Sequence, residues 1–410
     1  MAGISFFWRK EYEILLFIPI AIACYLSALL TSHAVVRWIA PRELAAALGN
    51  GARFIAIDGI RGYLALGVFV QHCLVTGVFL RSGQWGESSP TIGSQFANAC
   101  VAIFFMITAF LFWGRARSKG GIAWKGFFIS RLFRIYPLYL FVLLVICFAV
   151  AFKSDWIALE PGATIAKEIV KWLLFQPPDI NRFPGTTFIV AGVTWTLRFE
   201  AWFYLSLPFL VVVFLKRTVV WKKLAALAIV LVLFRLGQLN LSIAIAFLGG
   251  IIAVYWRADA RRIKWAESKA AAFLALACLV FVFILPFDIF NFVAIALLSV
   301  FFVVIASGNT LFGLLKLRAA LWLGEVSYSI YLCHGIILWI IMQNILPRLS
   351  DFHPTTVWIA ASAVCITPVV VLLSSATYLL IERPFIRMGR RMSKRKSSLP
   401  AHDLNISPHI

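Results

Sequence analysis

The sequence has few charged residues, and acidic residues are the rarer kind. Of its 410 residues, 13% are charged and 62% are hydrophobic, whereas ordinary globular chains carry about 25% charged residues. The mean hydropathy is +0.92, which excludes a soluble globular protein. Apolar runs of about 18 or more residues recur, and each is long enough to cross a hydrocarbon core of about 30 Å. We therefore predict an all-α polytopic membrane protein.

Cysteine pairs in metal-binding or redox spacing are also lacking. All seven cysteines lie in or beside apolar segments, and no Cys-x-x-Cys occurs. The chain therefore offers neither a disulfide framework nor a zinc site, and we predict no bound metal. No internal repeat is visible, and the longest loop, residues 153–192, is too short to fold alone.

The apolar runs predict about 11 transmembrane helices in one membrane domain. The predicted spans are 13–31, 60–80, 96–114, 135–152, 193–215, 224–237, 242–256, 270–286, 289–306, 320–346 and 355–381. Residues 1–56 would hold an N-terminal span and its cytoplasmic connection, 57–385 the membrane domain, and 386–410 a basic cytoplasmic tail. The first span resembles a secretory signal cleaved after Ala34, but two glutamates precede it and it is long, so we expect it to be retained.

Basic residues are concentrated on one side of this predicted topology. Of the 38 Lys and Arg, 28 fall in one alternating set of connections, 8 in the opposite set and two within spans. Because positively charged loops stay in the cytoplasm, this bias places the C-terminus inside and the N-terminus outside. The net charge of +21 therefore needs no nucleic-acid partner to explain it.

The apolar segment "IDGIRGYLALGVFVQH", residues 57–72, contains three ionisable side chains, Asp58, Arg61 and His72. Arg61 and His72 are 11 residues apart, so both leave the same face of a helix, about 16 Å apart along its axis. With Arg61 at the cytoplasmic boundary, His72 would lie near the middle of the bilayer. An intramembrane ionisable group marks a functional site by default, although a hydrogen bond between helices would also account for His72.

Three further polar clusters have both a functional and a structural interpretation. Arg131 and Arg134 stand one turn apart before a span, where they would bind phosphate or anchor the topology. Glu200 lies among aromatic residues at the predicted outer end of a span, as a site residue or an interface anchor. Tyr331 and His334 lie on a polar helix stripe, which would serve a site or join two helices.

In order along the chain, these segments resemble the acyltransferase-3 family of integral membrane O-acyltransferases, which modify bacterial glycans. The family's Asp-Gly-Leu-Arg-Gly with a later His corresponds to residues 58–62 and His72, with the ten-residue gap intact. The other matching motifs are "FFMITAFLF" (104–112), "RLFRIYP" (131–137), "WTLRFEAWFY" (195–204), "GEVSYSIYLCH" (324–334) and "ERPF" (382–385). Thr108 and Ala109 depart from the family's Ser and Gly, and the first span is additional to the usual ten.

This resemblance implies transfer of an acyl group, usually acetyl, from cytoplasmic acyl-CoA to a saccharide hydroxyl at the bacterial inner membrane. No cofactor would be bound, and acyl-CoA would be a co-substrate. His72 would be the catalytic base or would carry a transient acyl group. The remaining roles are donor binding by Arg61, Arg131, Arg134 and Tyr136, and acceptor binding or support by Asp58, Trp195, Glu200, Tyr204, Tyr328 and His334.

A transporter or flippase of a glycan or lipid-linked sugar is the alternative function. Intramembrane His and Glu side chains also form proton relays. However, the chain shows no matched pair of Gly- or Pro-broken segments in two halves, which would indicate the inverted repeats of a carrier. Dependence on acyl-CoA would separate the two functions, because a carrier does not consume it.

Overall fold

The computed structural model describes residues 2–49, 54–85, 92–284, 288–348 and 355–394, and their regular structure is helical. The helices are α1 (Ala2–Ala34), α2 (Pro41–Leu48), α3 (Ile55–Ser82), α4 (Ile92–Arg117), α5 (Trp124–Lys153), α6 (Gly162–Leu173), α7 (Trp195–Phe214), α8 (Val220–Leu236), α9 (Leu241–Ala244), α10 (Ala246–Trp256), α11 (Ala260–Ala266), α12 (Lys269–Ile284), α13 (Phe292–Ala306), α14 (Arg318–Glu325), α15 (Ser327–Leu338), α16 (Thr356–Thr377) and α17 (Arg383–Lys394). π-helical turns extend α1, α15 and α16.

The helices confirm an all-α polytopic membrane protein. Among the described residues, seven helices are long and apolar enough to cross a membrane. An eighth crossing is formed if α9 to α11, which bend by 116°, count as one broken span. α12 and α13 are apolar but shorter. Within the described residues, every predicted span overlaps helical structure, and the total of 11 crossings stays a prediction.

α3 runs through the centre of the helix bundle and packs against α4, α14 and α15. Glycines make the crossing with α14 close. A Cβ at Gly62 would lie 2.5 Å from the Cβ of Leu323, and a Cβ at Gly324 would overlap the carbonyl oxygen of Asp58. Small residues allow membrane helices to approach in this way. α15 begins directly after α14. The crossing therefore holds the first turns of α3, which carry Arg61, close to the first turn of α15.

The connection between α6 and α7 folds into the protein. Trp172 at the end of α6 is completely buried, and its carbonyl accepts a 2.6 Å hydrogen bond from the Tyr139 hydroxyl of α5. Further along, a Cβ on Gly335 of α15 would overlap the backbone of Val190. Val190 ends a short 3₁₀-helix, Thr186–Val190. Backbone outside α-helices is tolerated in membrane proteins where it is enclosed by protein rather than lipid. The segment therefore packs directly against α15.

α17 packs antiparallel along the first half of α5. The rings of Phe385 and Phe133 lie 6.5 Å apart. A Cβ on Gly389 would lie 2.7 Å from the Cβ of Phe133, and one on Gly126 would overlap the hydroxyl of Ser393. The division between a membrane domain and a basic cytoplasmic tail at residue 386 stays a prediction, and residues 386–394 belong to α17 and pack on α5. The arginines of α17 are typical of a solvated tail when they are seen in the sequence alone. In the structure, the close contacts at Gly389 and Gly126 hold this helix on α5. Residues 395–410 lie outside the described part.

Replacing Gly324 by Ala should destabilise the crossing of α3 and α14. Alanine is the better helix former by about 1 kcal/mol, so a loss of stability can only come from the clash with Asp58, which we expect to cost about 2 kcal/mol. The measurement is the midpoint of thermal unfolding in detergent. Gly114→Ala is the matched control, because a Cβ there makes an ordinary 3.6 Å contact. Equal midpoints for both variants would contradict this packing.

Candidate active site

A cavity of about 490 Å³ opens between α3, α4, α5, α7, α15 and α17. Its charged wall residues are Glu43, Arg61, Arg131, Arg134, Glu200, Glu325, Arg383, Arg387 and Arg390. Six arginines face three glutamates, so the wall carries an excess of positive charge. Such a wall would attract an anionic ligand. We call this the arginine cavity.

Arg131 and Arg134 enter the arginine cavity from α5, one turn apart. The Arg131 guanidinium lies over the ring of Phe112, 5.0 Å from its centroid, and donates to the Ser130 hydroxyl at 3.2 Å. Arg134 forms an ion pair of 3.2 Å with Glu382, whose side chain is 1% exposed. Glu382 also accepts a hydrogen bond from Ser329 of α15. The two arginines therefore differ: Arg134 is committed to a buried carboxylate, while Arg131 rests on an aromatic ring.

Arg61 reaches the same cavity from α3. It lies within electrostatic range of Asp58, Arg134, Glu325 and Glu200, so one group of charges joins α3, α5, α7 and the end of α14. Glu325 accepts a hydrogen bond of 3.1 Å from Tyr378. The predicted clustering of Arg61 with Arg131 and Arg134 is therefore present in the structure, and what the cluster binds is considered below.

His72 of α3 forms a pair with His334 of α15. His72 Nδ1 lies 2.9 Å from His334 Nε2, and the rings are nearly parallel, at 19°. His334 is completely buried, and its Nδ1 lies 2.9 Å from the carbonyl oxygen of Ile330. Among the described residues, no three His, Cys, Asp or Glu side chains come together to hold a metal ion.

This chain of hydrogen bonds assigns the tautomers of both neutral rings. A carbonyl oxygen can only accept, so His334 Nδ1 carries the proton and His334 Nε2 is an acceptor. His72 Nδ1 must then donate to His334 Nε2, because two nitrogens that both lack a proton cannot form a hydrogen bond. The remaining nitrogen, His72 Nε2, is therefore without a proton. An imidazole whose second nitrogen is fixed as a donor is arranged to act as a base.

Tyr331 lines the arginine cavity and also contacts the histidine pair. It lines the cavity, and its ring is 6.3 Å from that of His334, at 70°. Its hydroxyl shares a 2.8 Å hydrogen bond with Thr196 of α7. His72 itself does not line the cavity. On α15 the lining of the cavity thus extends to Tyr331, one helical turn before His334.

Two residues predicted from motifs point away from the cavity. The Tyr136 hydroxyl donates to the carbonyl of Leu173 at 3.0 Å, so this side chain joins α5 to α6. Trp195 packs edge-on against Phe105, Phe199 and Phe290. Neither lines the arginine cavity. A motif identifies a helix position, but it does not indicate which neighbouring helix that position will meet.

Glu200, Tyr204 and Tyr328 lie on the wall of the arginine cavity. Tyr204 donates a hydrogen bond to Glu200 one turn before it. The Tyr328 hydroxyl donates to the carbonyl of Ile135 at 2.9 Å, and its ring lies 5.8 Å from the Arg134 guanidinium. We expected Glu200 on the outward side, apart from the arginines; it shares their cavity instead. Charges on separate helices can converge in this way only through the packing of α5 against α7 and α15.

The motif search missed two arginines of the cavity wall, Arg387 and Arg390, and a carboxylate, Glu43. Glu43 of α2 pairs with Arg383 at 3.0 Å. Arg383, Arg387 and Arg390 recur at four and three residues, which places them on one helix face. That spacing was a signal in the sequence, but the basic residues around it conceal it.

Comparisons with known proteins identify the family of this chain. The family model described as an acyltransferase domain matches residues 54–375, and the chain belongs to this acyltransferase-3 family. The resemblance is therefore confirmed, and membership favours the acyltransferase over the transporter. The chain is 27% identical over 313 residues to the exopolysaccharide production protein ExoZ of Rhizobium meliloti (strain 1021), which covers 73% of this chain and 92% of that protein. No solved structure matches this chain.

Removing the Glu382 carboxylate should destabilise the protein strongly. Glu382→Leu leaves Arg134 without its carboxylate, a loss we expect to cost roughly 3 kcal/mol, and adding Arg134→Met should recover most of it. The measurement is the thermal unfolding midpoint in detergent.

The control is Arg383→Gln, which breaks the more exposed ion pair with Glu43, of 20% and 27% side-chain exposure. Such a pair contributes up to about 1 kcal/mol. If both single variants lower the unfolding midpoint equally, the buried ion pair stabilises the protein no more than the exposed one does.

Proposed function

We propose that this protein transfers an acyl group, acetyl by default, from acyl-CoA to a saccharide hydroxyl. The observation that carries the proposal is the His72–His334 pair, which leaves His72 Nε2 without a proton. The wall of the basic cavity reaches Tyr331, whose ring lies 6.3 Å from that of His334. The rhizobial relative is named for exopolysaccharide production. We therefore take an exported polysaccharide as the acceptor class. The membrane would be the bacterial inner membrane, with the arginine cavity facing the cytoplasm.

His72 acts as the general base in this proposal. Its Nε2 takes the proton from the acceptor hydroxyl as that oxygen attacks the thioester carbonyl. The carbon–sulfur bond then breaks, and the CoA sulfur leaves with the proton that His72 returns. Throughout, His72 Nδ1–H stays bonded to His334 Nε2, which orients the ring and stabilises its cationic form, the role of the third group in a catalytic triad.

The same bare nitrogen would also serve as a nucleophile. Attack of His72 Nε2 on the thioester would give an acyl-histidine and release CoA, and the hydroxyl would accept the acyl group in a second step. This route suits a donor and an acceptor that reach the histidine from opposite sides of the membrane. Both routes use the same tautomer, so both depend on His334.

The arginine cavity would hold the donor. Arg61 and Arg131 supply guanidinium groups of the kind that bind phosphates bidentately. Arg134, also predicted to bind the donor, is instead paired with Glu382. The acyl-pantetheine arm would extend inward past Phe104 and Phe112 on the cavity wall. The thioester would have to pass the Tyr331 ring to reach His72, because the lining on α15 ends at Tyr331 and His72 does not line the cavity. Tyr136 has no part in this donor site, since it bonds Leu173.

The acceptor would approach from the opposite end of α3. Phe79 is seven residues beyond His72 and so lies on the same helix face, about 10 Å further along the axis. Its ring contacts Trp85, which stacks on Phe188 at 4.6 Å. Sugar rings present flat C–H faces that stack on such aromatic surfaces. The acceptor residues predicted at Glu200, Tyr204 and Tyr328 would instead face the donor.

Replacing His72 by Ala should abolish acyl transfer in folded protein. The experiment uses purified protein in nanodiscs with radiolabelled acetyl-CoA and a crude extracellular polysaccharide, and follows both CoA release and labelled polysaccharide. We expect a loss of at least a hundredfold, the usual contribution of a general base. Turnover that survives His72→Ala would overturn the mechanism, and a wild type that never consumes acetyl-CoA would overturn the proposed function.

Replacing His334 tests its role as a positioning residue. His334→Phe removes the acceptor for His72 Nδ1–H, so kcat should fall roughly a hundredfold or more, as when a catalytic histidine loses its orienting group. KM for the donor should not change, because His334 does not line the cavity. His334→Gln, whose amide oxygen can accept the same hydrogen bond, should recover part of kcat. Equal rates for the Phe and Gln variants would show that His334 only fills space.

A further inference from the structure

The arginines of α17 are held over the cavity by close helix packing. Gly389 against Phe133 and Gly126 against Ser393 bring α17 onto α5 at two points, one on each side of Arg390 and Arg131. Long side chains on a free tail would be dispersed in water. Here the backbone beneath them is fixed, so binding a ligand costs them less conformational entropy.

Arg383, Arg387 and Arg390 occupy one face of α17, and the first already has a partner. Arg383 pairs with Glu43 and so joins α17 to α2. Arg387 and Arg390 are exposed, line the cavity, and form no ion pair with a carboxylate among the described residues. Within the cavity wall they are therefore available for an anion from outside the protein.

We infer that Arg387 and Arg390 bind the phosphate groups at the nucleotide end of the acyl-CoA donor. This inference rests on the proposed function and assigns a part of that site to α17. Planar guanidinium groups match phosphate oxygens in a two-point geometry. The thioester must lie at the inner end of the cavity, near Tyr331, so the phosphates at the other end of CoA lie toward the mouth, where α17 runs.

The test compares three donors in full-length protein in nanodiscs. Acetyl-CoA carries the 3′-phosphate and the diphosphate, acetyl-dephospho-CoA lacks the 3′-phosphate, and S-acetyl-pantetheine lacks the whole nucleotide. The variants are Arg387→Gln, Arg390→Gln and the double variant. Arg391→Gln is the matched control, because Arg391 is exposed on the same helix but does not line the cavity.

We expect the double variant to raise KM for acetyl-CoA by about a hundredfold, since it removes two hydrogen bonds to charged groups and each contributes roughly a factor of ten. The value of kcat should not change. The rise should be smaller for acetyl-dephospho-CoA and absent for S-acetyl-pantetheine, and Arg391→Gln should match the wild type with all three donors.

Several outcomes would overturn the inference. An unchanged KM for acetyl-CoA, or an equal rise in KM for all three donors, would show that α17 does not bind the phosphates. A lipid headgroup is the other source of the same phosphate chemistry. If the effect of the double variant appears only in nanodiscs with anionic lipid and vanishes in zwitterionic ones, the arginines bind lipid instead.

The failures of the two proposals are distinguishable. Wild-type protein that does not consume acetyl-CoA ends the proposed function, and this inference with it. Wild-type protein that consumes acetyl-CoA but discriminates among the donors just as the double variant does leaves the proposed function standing and ends the inference alone.

Discussion

The hydrogen bond between His72 and His334 is the interaction on which the site depends. An imidazole within the hydrocarbon layer is costly unless it faces a polar partner, and each ring here supplies what the other needs. The Ile330 carbonyl sets the donor and acceptor roles along these hydrogen bonds, because a carbonyl oxygen can only accept. The helical backbone at Ile330 thus determines that Nε2 is the nitrogen of His72 that lacks a proton. No charged partner is required for this, which suits a low-dielectric position.

Close helix crossings bring the two histidines together. α3 meets α14 where Gly62 and Gly324 leave no room for side chains, and α15 follows at once with its polar stripe. Gly335, next to His334, lies against the end of the short 3₁₀-helix before α7. Interiors packed this tightly tolerate little displacement. The glycines in the motifs therefore position the chemistry, although they take no part in it.

The arginine cavity shows how the protein carries so much positive charge near a membrane. Two of its arginines are balanced by carboxylates, Arg134 by Glu382 and Arg383 by Glu43. The Glu382 pair is enclosed by α5, α15 and the end of α16, so its attraction is less screened than a surface pair would be. The remaining cationic groups give the wall its excess charge. Arginines paired with a carboxylate thus stand beside other arginines of the wall on both α5 and α17.

The sequence alone determined the membrane class, the family and the face shared by Arg61 and His72, because hydropathy and helical periodicity are local properties of the chain. It also indicated the stripe that contains Tyr331 and His334. The contact between His72 and His334, 262 residues apart, depended on the tertiary structure, as did the turn of Tyr136 toward Leu173 and the docking of Arg387 and Arg390 beside Arg131. Each of these depends on which helices pack together and at what rotation. Periodicity within one helix carries no information about that choice, because the choice is made by close contacts such as those at Gly324 and Gly389.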